Sequence, residues 1–157
     1  TDGTFGNTNK NLKESIGDFI ILRKDQIHAY PLTVTVDDYL DSVTEVVRGC
    51  DLLEVTPSQI YLQKLLNFPD ISYTHVPVVK NRHGKKLSKQ RGASTVTMNR
   101  PNKTISNAMK FLGFNVPNGL IDDRPLALLD WATSENREDI SASIYAKQAR
   151  KNFLSSS

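Results

Sequence analysis

The chain has 157 residues, 38% of them hydrophobic, and a formal net charge of +3. That length predicts one domain or a large part of one around a single core. One cysteine, Cys50, excludes an internal disulfide framework, and with only His28, His75 and His83 beside it a Cys/His zinc site is excluded as well. A lone thiol fits a reducing cytoplasm, and neither a membrane-length apolar run nor a signal-peptide pattern is present.

Thr1 to Lys10 is rich in Thr, Asn and Gly and reads as a tail or loop with little to bury. Phe19, Ile20, Ile21 and Leu22 predict a strand over 18–23. Lys24-Asp25-Gln26 then predicts a tight turn, and the β-branched run Thr33 to Val36 predicts a second strand over 27–36. Tyr30 falls in that strand beside Pro31, which suits a strand end; such a tyrosine either packs or is aimed at a cleft. Asp37 and Asp38 read as the start of a short helix over 39–42, capping being a simpler use of the two carboxylates than metal binding or acid–base work.

A strand over 44–48 follows and runs into Arg48-Gly49-Cys50-Asp51. In open α/β sheets ligands sit outside the carboxyl ends of strands, so Arg48 is placed to meet a carboxylate with its planar fork. A surface ion pair with Asp51 or Glu54 is the alternative. The next helix carries a full set of start signals: Thr56 as cap, Pro57 at the first position, Gln59 completing a capping box, and Val55 with Ile60 as a hydrophobic staple. Ile60, Leu62, Leu65 and Leu66 supply its apolar stripe, and Asn67-Phe68-Pro69 ends it. A strand over 73–79 leads to a glycine-flanked loop, Gly84-Lys85-Lys86-Leu87-Ser88-Lys89-Gln90.

That loop concentrates three ammonium groups, an arrangement that a polyanion such as ATP would relieve, although many such clusters are only solvated. It also sits inside a segment with no acid between Asp70 and Asp122, which holds Lys80, Arg82, Lys85, Lys86, Lys89, Arg91, Arg100, Lys103 and Lys110. A field of one sign over a third of a chain points to nucleic acid, held through phosphates; a solvated basic face is the alternative. Beyond it, a helix from Thr104 to Gly113 and another over 125–132 are predicted, with Trp131 in a core rather than under a base, and a weaker helical pattern spans 140–153.

Lys86-Leu87-Ser88-Lys89 resembles the KMSKS signature of class I aminoacyl-tRNA synthetases in its glutamyl spelling. Upstream, Asp18-Phe19-Ile20, Ala29-Tyr30, Val36-Asp37-Asp38, the run Val46 to Leu52, Thr56-Pro57 with Gln59, and His75-Val76-Pro77 occur in the order and spacing of the glutamyl-type enzymes. Gln90-Arg91-Gly92-Ala93 and the early stop resemble the truncated glutamyl-Q branch, whose members place glutamate on the queuosine base of tRNA(Asp).

The resemblance implies an α/β fold: the second half of a class I synthetase Rossmann-type nucleotide-binding domain over 18–93, after a polar segment over 1–17 and before a mainly helical, stem-contact-like region over 94–157. It implies that Tyr30 and Arg48 bind glutamate, that Lys86, Ser88 and Lys89 act on ATP with Mg2+, and that Lys80, Arg82, Lys85, Arg91, Arg100 and Lys103 face tRNA(Asp). It also implies a gating loop between Asn81 and Ala93. The HIGH signature and the family's zinc ligands have no counterpart here, so the chain is expected to be a partial enzyme that works with a missing N-terminal half. A fragment of an ordinary glutamyl-tRNA synthetase, a non-catalytic RNA-binding module and a gene remnant are the alternatives.

Overall fold

The computed structural model describes residues 1–7, 11–80, 83–87, 99–121 and 123–135. It divides into two units, Thr1–Val76 and Pro77–Ser157. The first is built on a parallel pair of strands, β1 (Glu45–Gly49) and β2 (Ser72–Val76), with Val46 opposite Tyr73 and Arg48 opposite His75. Parallel neighbours need a crossover connection. Here it is a single 3-10 turn, Cys50–Leu52, followed by α3 (Thr56–Leu65), which completes a β–α–β unit. A four-residue turn of helix, α1 (Leu12–Ser15), and the longer α2 (Tyr30–Leu40) precede the strands, and α2 packs against α3.

Residues 27–36 do not form the predicted strand. Tyr30–Leu40 is helical, with Pro31 in the first turn where its missing N–H costs nothing. The β-branched run is accommodated because Thr33 and Thr35 return their hydroxyls to the carbonyls of Ala29 and Pro31, at 3.3 and 2.7 Å, and Thr35 is buried. Asp37 and Asp38 therefore sit in the later turns of α2 and do not begin a helix. The 18–23 run is no ladder strand either. A single antiparallel bridge joins Leu22 to His28 across the expected turn, where Gln26 takes a positive φ, and Ile20, Ile21 and Leu22 stay exposed.

The first seven residues are not a tail. Asp2 bridges to Gly6 and to Tyr73, and Gly3 donates its N–H to the Tyr73 carbonyl at 2.9 Å, so the segment lies along β2. Gly3 is needed there, because a Cβ would run into the Thr74 side chain. Buried Asp2 accepts from the amides of Thr4 and Phe5 at 2.9 and 2.8 Å, which closes the turn.

The second unit opens with a short backbone hairpin: Lys80 bridges to Lys86, Leu87 donates to the Val79 carbonyl, and Gly84 turns with a φ of +74°. It continues with α4 (Pro101–Phe111), α5 (Asn118–Ile121) and α6 (Pro125–Glu135). Met109, Val116 and fully buried Leu128 form its core, with Ile105, Phe114, Leu120 and Trp131 packed around them. Trp131 meets Phe114 edge to face with ring centroids 6.3 Å apart, a packing role as expected. Residues 140–153 lie outside the described residues. Among the described residues no helix is long and apolar enough to cross a membrane.

Candidate functional site

The register of the strands sets the site. Arg48 and His75 lie directly opposite on one face of the β1–β2 pair, and Tyr73 shares that face. A side chain with five N–H donors in such a place requires acceptors, and α3 supplies them. Thr56, Gln59 and Gln63 follow one another at helical spacing down the buried side of α3. Arg48 Nη2 donates to Thr56 Oγ1 at 2.7 Å and to Gln59 Oε1 at 2.6 Å, while Nε donates to His75 Nε2 at 3.2 Å. Its guanidinium carbon lies 5.1 Å from the centre of the Tyr73 ring, within cation–π range. Gln63 Nε2 donates to the Tyr73 hydroxyl at 2.9 Å.

These bonds replace the predicted capping box. Thr56 is the first residue of α3 and not its cap, Val55 precedes it without a side-chain cap bond, and Gln59 turns its amide oxygen to Arg48. The surface ion pair with Asp51 or Glu54 does not form; the direct partners of Arg48 are neutral. Three of its N–H groups are held internally, and no described residue accepts from Nη1. A carboxylate reaching Arg48 in this arrangement meets Nη1, not the shared fork that the sequence suggested.

His75 is fully buried and completes the network. Its Nδ1 lies 2.6 Å from Asp2 Oδ2. Since Arg48 donates to Nε2, the hydrogen-bond pattern assigns the ring proton to Nδ1 and makes Asp2 the acceptor. Burial alone would raise the Asp2 carboxyl, but the bond from His75 and the two backbone amides outweigh it, so Asp2 lies below the ordinary carboxylate range. Burial pushes the Tyr73 hydroxyl up, against the Gln63 bond and the Arg48 charge, with Asp38 and Tyr30 adding to the rise. Burial likewise raises Asp38, where Arg48 opposes and Asp37 and Asp41 add.

Arg48 and Tyr30 both act electrostatically on the Tyr73 hydroxyl, and Tyr30 keeps 48% of its surface exposed in the first turn of α2. A cleft of about 730 Å³ is lined by Asp2, Thr56, Gln63 and Tyr73 with Leu53 and Ile60; neither Tyr30 nor Arg48 lines it. Lys80, Lys85, Lys86, Arg100 and Lys103 are exposed in the second unit. Arg82, Ser88, Lys89 and Arg91 lie outside the described residues. Asp2, His75, Gln59 and Gln63 were missed as site residues. The Thr56/Gln59/Gln63 spacing could have shown the last two, since a polar row on the buried face of a helix implies a buried polar partner.

A parallel β–α–β unit with an arginine held near the end of its first strand makes this an α/β protein. The chain belongs to the tRNA synthetases class I (E and Q), catalytic domain, whose family pattern matches residues 1–120. A relative from Ralstonia nicotianae named glutamyl-Q tRNA(Asp) synthetase is 48% identical over 107 residues, 68% of this chain and 34% of its own length. One of the same name from Neisseria meningitidis serogroup C is 43% identical over 134 residues, 85% of this chain and 45% of its own. A crystal structure of glutamate-tRNA synthetase from Elizabethkingia anophelis covers 50% of this chain and 16% of its own, with a TM-score of 0.44 and 24% identity. The chain thus spans between a third and a half of the length of the curated relatives it matches.

Proposed function

We propose that this chain carries the glutamate-gripping and ATP-closing portion of a glutamyl-Q tRNA(Asp) synthetase, an enzyme that activates glutamate with ATP and transfers it to the queuosine base of tRNA(Asp). The likeness to relatives of that name over most of the chain carries this reading, and family membership supports it. In it, residues 18–93 are the C-terminal half of the catalytic Rossmann-type domain, 94–157 contact the tRNA stem, and the enzyme works in the cytoplasm.

The roles follow from the chemistry of the side chains. Arg48, anchored on three neutral acceptors, presents Nη1 to the side-chain carboxylate of glutamate, and exposed Tyr30 supplies a hydroxyl for a second contact. ATP is the second substrate. Backbone pairing of Lys80 with Lys86 sets two cationic side chains near one another, a placement suited to a polyphosphate. Lys86, with Ser88 and Lys89, would hold the phosphates as glutamate attacks the α-phosphate, neutralising charge that grows on the departing pyrophosphate. Among the described residues no three His, Cys, Asp or Glu side chains converge. Mg2+ bound to the phosphates would screen their charge. Arg82, Arg91, Arg100 and Lys103, with Lys80 and Lys85, would supply the positive charge for the tRNA backbone.

The test is glutamate-dependent exchange of labelled pyrophosphate into ATP, using the chain alone and with the N-terminal portion of a glutamyl-Q relative added. Exchange is expected on addition, and Lys89→Ala should lower its rate far more than it weakens glutamate binding. No exchange in the combined sample, with the chain folded by circular dichroism, refutes the proposal.

A further inference from the structure

Arg48 does not stand at the end of its network. Its Nε bond leads to His75, and the far side of the His75 ring leads to Asp2, which lies 73 residues away in sequence and only 5% exposed. An imidazole is rigid and its two nitrogens lie on opposite sides, so fixing one bond fixes the direction of the other. The alternative tautomer would set an Nε2–H against the Nε–H of Arg48, donor against donor, and would leave the Asp2 carboxylate facing a lone pair. The carboxylate thereby selects the one ring state in which Nε2 can accept.

We infer that Asp2, acting through His75, is a positioning device for Arg48: the carboxylate fixes the imidazole, and the imidazole fixes the edge of the guanidinium that is left to meet a carboxylate ligand. The consequence for ligand binding rests on the proposed glutamate role of Arg48; the positioning itself does not. Thr56 Oγ1, 3.1 Å from His75 Nε2 and bonded to Arg48 Nη2, ties these two side chains to the first turn of α3. Neither Asp2 nor His75 touches the ligand in this scheme. On the ligand they act only through the angle and mobility of Arg48.

Nitrogen NMR of the uniformly labelled chain tests this without any activity. His75 is expected as the Nδ1–H tautomer, with the Arg48 Nε–H protected from exchange. Asp2→Asn should mix the tautomers and speed exchange of that proton about tenfold, the effect of one lost charge-assisted hydrogen bond. His75→Gln keeps an acceptor near Nε2 but severs Asp2, so in that background Asp2→Asn should leave the exchange rate unchanged. A wild-type Nε2–H tautomer overturns the inference, as does an Arg48 Nε–H that ignores Asp2→Asn. An equal effect of Asp2→Asn with and without His75 overturns it too, since Asp2 would then act on the fold in general. In the assembled enzyme, Asp2→Asn should raise KM for glutamate about tenfold and leave KM for ATP unchanged. An inactive wild-type assembly would count against the proposed function while the NMR result still decided the positioning role.

Discussion

Arg48→Lys separates the structural from the binding work of Arg48, because lysine keeps the charge and loses the geometry. The arginine makes three internal bonds, at 2.6, 2.7 and 3.2 Å, and covers the Tyr73 ring. An ammonium on a shorter reach cannot serve Gln59, Thr56 and His75 together. Gln59 is the costly loser: it is wholly buried, and its Nε2 already lacks a described partner, so losing the bond to Oε1 leaves both ends of the amide unmet. Hydrogen bonds to charged groups contribute about 1.5–3 kcal/mol each. One or two losses, partly offset by water reaching the half-exposed guanidinium site, predict a destabilisation of about 2–4 kcal/mol. Against a typical domain stability of about 5–15 kcal/mol that is a large share. Urea unfolding followed by circular dichroism should show the midpoint falling by roughly 1–2 M. A change under about 0.5 kcal/mol would mean that the bonds to Gln59 and Thr56 do not hold Arg48 in solution, and the account of α3 as an acceptor platform would fail. Glutamate titration at a temperature where both forms are folded then isolates the binding effect, expected as weakened affinity.

Gly3→Ala should force the first strand-like residues off β2, because the new methyl meets Thr74; faster amide exchange at Thr4 and Phe5 is the readout, and unchanged exchange would contradict the packing. Leu128→Ala should cost about 3 kcal/mol by opening a cavity in the second unit. Trp131, the sole tryptophan and a neighbour of that core, gives the fluorescence signal, and an unaltered midpoint would place Leu128 outside the core. Asp2 is held below its ordinary value of 3.8, so its contribution to stability is complete above that pH and is lost as pH falls through the depressed folded value. A carbon NMR titration of the Asp2 carboxyl should have its midpoint below 3.8; one above it would mean that burial outweighs the bonds from His75, Thr4 and Phe5.

Elements whose signal is local were legible. β1, α3 and β2, and later α4 and α6, were all foreseen near their observed places, since apolar runs, a proline in the first helical turn and a closing turn act over a few residues. α2 was not, because its β-branched run looks like a strand until the burial of Thr35 and the threonine back-bonds are known. Arg48 was legible as a strand-end arginine, but its partners were not, as they come from β2, α3 and the segment around Asp2. Asp2 gave no signal at all. A single acid in a polar, glycine-rich stretch looks solvated, and only its contact with His75 across the chain marks it as buried.

The start of α3 shows why a satisfied local motif can still mislead. Thr56 and Gln59 fit a capping box by spacing, and in an isolated helix each would serve backbone N–H groups that water can also serve. Facing an arginine on a partly covered strand, the same two oxygens have a stronger donor to satisfy, and charge-assisted bonds outweigh neutral ones by about twofold. Capping is then left undone by side chains, and the row Thr56, Gln59 and Gln63 shares the buried side with Leu62, while Leu65 and Leu66 of the expected apolar stripe face outward. A helix that gives up apolar contact for a polar row must be repaid by order in what it holds. Here the thing held is a guanidinium whose Nε and Nη2 are bonded internally and whose Nη1 meets no described acceptor.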